Sequence, residues 1–224
     1  MGIGSLVLLG ASGLVGGAVL RQATADASCS SVTLLTRRPL GLGGGKIREE
    51  VVDFERPETF RAHLAADHVV CCLGTTIKQA GSQEAFRKVD FDIPVAVARE
   101  AAAAGAGSFL IVTAVGADPE SRVFYSRIKG EAEAAVRELP FPRGVKILRP
   151  SILVGKRARP RTAERAVMAL MRAARPLLAG KMARYRAIDA DDVARAILDL
   201  ARRDATAGVA AYEGESLFAL ARGA

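Results

Sequence analysis

The sequence predicts an α/β protein built on a doubly wound parallel sheet. Three observations carry that prediction. Short apolar runs bounded by turn residues recur through the first two thirds of the chain. Helix-compatible segments separate most of them, and a glycine-rich turn stands between the first run and the first helix. A strand feeding a helix feeding the next strand makes right-handed crossovers and a parallel sheet covered on both faces.

The predicted strands are 6–10, 32–36, 47–53, 68–73, 109–114 and 145–148, six in all. The predicted helices are 14–25, 57–65, 83–104 and 122–139, with two more at 162–178 and 190–203. Strands two and three are joined through Pro39 to Gly45, too glycine-rich and too short for a regular helix, so a loop crosses there. The last third loses the alternation and becomes mostly helical, and 211–218 reads as a turn leading into a last strand. With 224 residues the chain suits one domain, 1–224, in which about 151–224 form a small, mostly helical lobe.

Half the residues are hydrophobic and a quarter are charged, which excludes disordered, collagenous and fibrous classes. No stretch reaches the roughly 18 to 20 uninterrupted apolar residues of a membrane-spanning helix, and the nearest, Ile3 to Leu20, is rich in glycine and suits a strand followed by a tight turn. Cys71 and Cys72 are neighbours in an apolar run and Cys29 stands alone, so neither a disulfide framework nor metal-ligand spacing is present. These features point to a reducing, cytoplasmic setting without a metal.

The net charge of +8 is concentrated between 156 and 186, where ten Lys or Arg residues accompany one acid, Glu164. A solvated basic surface and a site for an anionic substrate or partner both fit. A nucleic-acid or membrane-surface binder ranks last, because stacking aromatics are almost absent there. The helix at 162–178 sets Ala163, Ala166, Val167, Leu170, Met171 and Ala174 at core spacing, consistent with a packed monomer or a homodimer.

Gly10-Ala11-Ser12-Gly13-Leu14-Val15-Gly16 follows the first strand directly and opens the first helix. Gly10 permits the tight turn, Gly13 admits a pyrophosphate to the backbone N–H groups, and Gly16 lets the helix pack on the strand. Positive helix-terminal charge adds to this cradle, which marks a dinucleotide-binding Rossmann fold. The second strand ends Thr36-Arg37-Arg38, with two guanidiniums and no carboxylate where an adenosine ribose should lie. A planar guanidinium suits a 2′-phosphate, so NADP(H) is expected in preference to NAD(H). Asp53-Phe54 ends strand three near the adenine. Leu73-Gly74-Thr75-Thr76 ends strand four, where the threonine hydroxyls reach ribose or phosphate, or cap a helix.

Tyr125 and Lys129 lie four apart at the start of the helix after strand five, on one helical face. An adjacent ammonium favours the phenolate, so Tyr125 could donate or remove a proton while hydride moves to or from the cofactor. Thr113, ending strand five, is the candidate hydroxyl for orienting a carbonyl. His63 and His68 are expected to be structural.

Together, Gly10 to Gly16, Cys72 to Thr76, Val89-Asp90, Tyr125 to Lys129 continuing through Glu133, and Leu148-Arg149-Pro150 resemble the short-chain dehydrogenase/reductase superfamily. The likeness is narrower to its atypical branch of Tat-interacting-protein-type oxidoreductases. It implies NADP(H) binding, a Ser/Thr–Tyr–Lys set, and contact of the nicotinamide amide with the backbone after Pro150, here Ser151 to Val154 and including Ile152. Where relatives often carry a serine pair this chain has Thr113-Ala114, leaving Thr113 or no hydroxyl for the carbonyl. The branch also contains cofactor-dependent regulators. Two readings therefore stand side by side: an oxidoreductase of an unidentified small carbonyl or alcohol, and a protein-binding module that senses NADP(H).

Overall fold

The computed structural model describes residues 2–155, 184–203 and 208–223. Seven parallel strands form its main sheet: β1 (Gly4–Leu9), β2 (Cys29–Thr36), β3 (Ile47–Val51), β4 (His68–Cys71), β5 (Ser108–Val112), β6 (Val145–Arg149) and β9 (Val209–Glu213). Their order is β3-β2-β1-β4-β5-β6-β9. Two short strands, β7 (Leu153–Val154) and β8 (Ile188–Asp189), pair beyond the end of β6. The expected doubly wound parallel sheet is present, with helices on both faces.

The central strands are continuous apolar runs because each buries both of its sides. Leu6 and Leu8 of β1, Val70 of β4 and Leu110 and Val112 of β5 enter one core. There they meet helix α1 (Leu14–Ala25) and helix α6 (Ala190–Arg202). Val7, Leu9, Val69, Cys71, Phe109 and Ile111 enter the other core, against α4 (Ile93–Ala103) and α5 (Phe124–Arg137). Alternation along each strand therefore sorts its side chains between the two cores.

Helix α1 occupies the predicted residues, and β2 and β3 are joined by the expected loop. Glu49 staples that loop, accepting the Leu40 and Leu42 backbone N–H groups at 2.5 and 3.0 Å.

Three elements differ from expectation. The helix predicted at 57–65 is two 3₁₀ turns, Pro57–Thr59 and Arg61–His63, interrupted at Phe60, whose φ is −129°. Phe60 and Leu64 are wholly buried, so the backbone yields helical geometry to seat both side chains. The long helix predicted at 83–104 divides into α3 (Gln83–Arg87), a π-helical turn (Lys88–Asp92) and α4, after a one-turn α2 (Ile77–Ala80).

At the C-terminal side, the turn and strand occur in the reverse order. Strand β9 comes first, Gly214 turns the chain at φ +56°, and helix α7 (Glu215–Ala221) follows. Val-Ala-Ala-Tyr-Glu is a weak strand signal, because an edge strand buries little on either side. The helix expected at 162–178, and most of the basic 156–186 segment, lie outside the described residues.

Two buried polar groups secure this frame. His68 at the start of β4 is 2% exposed, with Nδ1 2.7 Å from the Ser108 hydroxyl on β5. Glu133 of α5, also 2% exposed, accepts the Thr113 hydroxyl at 2.6 Å and the Arg149 Nε and Nη2 at 2.9 and 2.5 Å. Arg149 reaches on to Glu213 of β9 at 3.3 Å, so one polar cluster joins β5, β6, α5 and β9.

Burial holds the His68 imidazole neutral, its pKa lowered to about 4. The unfolded chain binds this proton more readily, so stability should fall as pH drops from about 6.5 to about 4, by on the order of 3 kcal/mol. His68→Gln should flatten urea-denaturation stability across that window, whereas an unchanged slope would refute the assignment. Asp26, lowered to about 2 by hydrogen bonds from Ser28 and Arg202, loses its contribution only at lower pH.

In the second cluster, Arg149→Met leaves the Glu133 carboxylate only the Thr113 hydroxyl and the more distant Arg137, 3.6 Å away, and should cost about 3 kcal/mol, against about 1–2 kcal/mol for Thr113→Val. Because both substitutions strip the same carboxylate, their combined cost should depart from the sum. Strict additivity in urea midpoints would show that the cluster does not act as a unit.

Candidate functional site

The strand ends converge at the carboxyl edge of the sheet, where ligands of such sheets bind. Gly10 leaves β1 with φ +83°, and a Cβ there would lie 2.6 Å from the Cys72 carbonyl oxygen at the end of β4. A Cβ on Gly16 would lie 2.1 Å from the Gly10 carbonyl oxygen, so α1 rests directly on the turn. The Gly13 N–H donates to Gly10 O at 2.8 Å, and Gly13 begins α1 without a side-chain cap.

The first-turn N–H groups of α1 lack partners within the helix and are available to an anion. Ser12 beside them is exposed, whereas Val15 is buried. Leu14 packs toward Gly155, where a Cβ would come 3.0 Å from its Cδ1.

Beside the ends of β2 and β3 is a cavity of about 240 Å³ lined by Arg37, Val52, Asp53, Phe54, Glu55, Lys88, Val89 and Ile93. Arg37, Asp53 and Phe54 are thus brought together as the sequence suggests, while exposed Arg38 is outside the lining. Asp53 shapes the turn by accepting the Glu55 N–H at 2.9 Å, and Phe54 packs on Phe60 with ring centroids 5.8 Å apart. Lys88, paired with Glu55, also lines this cavity and belongs to no sequence motif. It stands 51 residues beyond Arg37 in sequence, and no local motif connects them.

At the end of β4 the two threonines have different roles. Thr76 caps α2, its hydroxyl accepting the Gln79 N–H at 3.2 Å. The Thr75 backbone N–H donates to Asp90 Oδ2 at 3.0 Å. Asp90 also lies 2.7 Å from the Lys129 ammonium, and both side chains are nearly inaccessible. Burial raises the Asp90 pKa, while Lys129 and the Thr75 N–H offset part of that effect. Gly74 lies over the pair, since a Cβ there would be 3.5 Å from both Lys129 Nζ and Asp90 Oδ1.

Tyr125, one turn before Lys129, rests its ring 5.5 Å from that of fully buried Phe86. Asp90 and Phe86 both lie outside the sequence-predicted site set. The periodicity had merged the π turn that carries Asp90 into one long helix.

The Thr113 hydroxyl, expected to orient a carbonyl, is buried and donates to Glu133 at 2.6 Å, and the next residue, Ala114, has no hydroxyl. β6 leads to Pro150, whose carbonyl accepts the Val115 N–H at 3.0 Å. Ile152 is 45% exposed, but its carbonyl accepts the Ile188 N–H at 3.0 Å. The segment after Pro150 is therefore held between β5 and β8, with both of these carbonyls engaged.

No protein-family model matches the chain. Among curated proteins it is 37% identical over 164 residues to Protein HTATIP2 of Rattus norvegicus, covering 71% of this chain and 67% of that protein. It is 34% identical over 158 residues to Protein FMP52-1, mitochondrial, of Scheffersomyces stipitis, covering 68% and 69%. A third relative, Protein FMP52, mitochondrial, of Eremothecium gossypii, is 35% identical over 153 residues, covering 67% of each chain.

Solved structures share the fold. MoeE5 in complex with UDP-glucose and NAD has a TM-score of 0.67 and 16% identity, covering 93% of this chain and 76% of MoeE5. Human epimerase family protein SDR39U1 with NADPH has a TM-score of 0.60 and 19% identity, covering 92% and 73%.

The yeast relatives named mitochondrial overturn the expectation of a cytoplasmic protein. Cysteine usage separates reducing from oxidising surroundings and does not choose among reducing compartments. No described helix is long and apolar enough to cross a membrane. Identity with HTATIP2 and the FMP52 proteins, together with the sheet order and the glycine turn, leads to one conclusion: the chain belongs to their family, an atypical branch of the short-chain dehydrogenase/reductases.

Proposed function

We propose that the protein is an NADP(H)-dependent oxidoreductase acting on a small carbonyl or alcohol, with Tyr125 as its acid/base. The observation that carries this reading is the placement of Tyr125 and the buried Lys129–Asp90 pair at the same sheet edge as the glycine turn.

The site suits a nicotinamide dinucleotide. Gly10 and Gly16 keep the turn so close to the sheet that no Cβ fits, and the uncapped start of α1 offers backbone donors to a pyrophosphate. Ser12, Gly13, Leu14 and Val15 would carry those donors. Arg37, Asp53 and Phe54 would enclose the adenosine, with Arg38 an exposed neighbour of Arg37. Leu73, Gly74, Thr75 and Thr76 would border the ribose beside Lys129, and Pro150 and Ile152 the nicotinamide end. MoeE5 and SDR39U1, solved with NAD and NADPH respectively, support a dinucleotide of this class. Arg37 and Arg38 favour its phosphorylated form, because a guanidinium binds a 2′-phosphate with two parallel charge-assisted hydrogen bonds.

The bound nicotinamide would supply or accept the hydride. Tyr125 would hold the substrate oxygen and pass it a proton, or remove one in the reverse direction. Lys129 would favour the phenolate electrostatically, while Asp90 fixes the ammonium at the end of β4. With Thr113 committed to Glu133 and Ala114 lacking a hydroxyl, Tyr125 alone would position the carbonyl. Residues 1–224 are read as one domain, with 151–224 flanking the substrate.

The missing second hydroxyl also favours a second reading, an NADP(H)-responsive binding module with little turnover. Tyr125→Phe separates the two. In the enzyme it should lower kcat on a carbonyl panel by about 10²–10⁴-fold while NADPH affinity stays within about threefold. Turnover that survives the substitution unchanged would refute the acid/base role. The double substitution Arg37→Ala, Arg38→Ala should remove most of the preference for NADPH over NADH in calorimetry, and an unaltered affinity ratio would refute the cofactor assignment.

A further inference from the structure

The adenosine cavity contains a charge arrangement that the arginine pair does not explain. Its lining includes two cations from different elements, Arg37 after β2 and Lys88 from the π turn. It also includes Glu55, which follows β3 and is ion-paired with Lys88. The Lys88 and Glu55 side chains are 50% and 64% exposed. Neighbouring Arg87 is engaged elsewhere, 2.5 Å from Glu131 and with its guanidinium 4.1 Å from the Phe91 ring centroid.

We propose that Lys88 is a second specificity residue for the adenosine 2′-phosphate, and that the Glu55 carboxylate is an internal stand-in which the phosphate displaces. This inference rests on the NADP(H) reading above. An exposed ion pair contributes little, because water screens it and two flexible side chains must be ordered to form it. A phosphate monoester carries nearly two charges and three strong acceptors, so it outcompetes one carboxylate for an ammonium. Arg37 would grip the phosphate in bidentate fashion, while Lys88 closes on it as a point charge. Glu55, once released, repels the phosphate and tempers its affinity. The π turn matters here because its extra residue per turn changes which way Lys88 and Asp90 project relative to α3.

Adenosine 2′,5′-bisphosphate and 5′-AMP differ only in the 2′-phosphate, so calorimetry with this pair tests the inference without turnover. The wild type should prefer the bisphosphate. K88Q should weaken the bisphosphate about tenfold and leave 5′-AMP unchanged, as loss of one charge-assisted hydrogen bond requires. K88R should retain most of the preference. E55Q, which keeps Lys88 intact, should strengthen the bisphosphate severalfold without affecting 5′-AMP.

A K88Q effect that is equal for both ligands, or absent for both, overturns the proposal. Weaker bisphosphate binding by E55Q does the same. Wild-type protein that binds neither NADPH nor NADH overturns the cofactor reading and this inference together. A wild-type preference for NADPH that K88Q leaves intact overturns only the role of Lys88.

Discussion

The structure turns on the close approach of three backbone segments at Gly10. The end of β1, the end of β4 at Cys72 and the first turn of α1 at Gly16 meet at distances that exclude even one methyl group. Any side chain at these points would push α1 away from the sheet, and Val15, Ala18 and Val19 would lose their place in the core they share with α6. The same contact brings the helix N-terminus to the sheet edge. The packing of α1 and the position of its N-terminus therefore have one cause, and neither can be adjusted alone.

A second constraint acts at the adjacent crossover. Asp90 and Lys129 are buried together, and burying an unpaired charge would be far more costly than burying the pair. Asp90 also accepts the Thr75 N–H, so β4, the π turn and α5 become one unit. Among the described residues the Tyr125 phenol has no hydrogen bond, and its ring lies against that of Phe86, one turn before Lys129. The arrangement holds the Lys129 ammonium in place at the end of β4.

The central sheet was legible because two-sided burial writes itself as unbroken apolar runs, as in Leu6 to Leu9 and Phe109 to Val112. The glycine turn was legible because a strand, three spaced glycines and a helix leave few alternatives. Other features depend on contacts distant in sequence. Phe60 breaks a helix only because the tertiary fold buries it, and the Thr113 hydroxyl is held by a glutamate 20 residues away. Lys88 reaches the Arg37 cavity through tertiary structure alone. Strand β9 escaped notice because its half-exposed alanines carry little pattern.

Strand β9 has one more consequence. It pairs with β6, which is synthesised about 60 residues earlier, and closing a loop of that length is slow relative to local helix formation. During translation β6 would present bare amides and carbonyls until residues 209–213 leave the ribosome. A nascent or prematurely terminated chain thus ends its sheet at β6, which the finished fold buries almost throughout, whereas the complete sheet ends at the half-exposed β9.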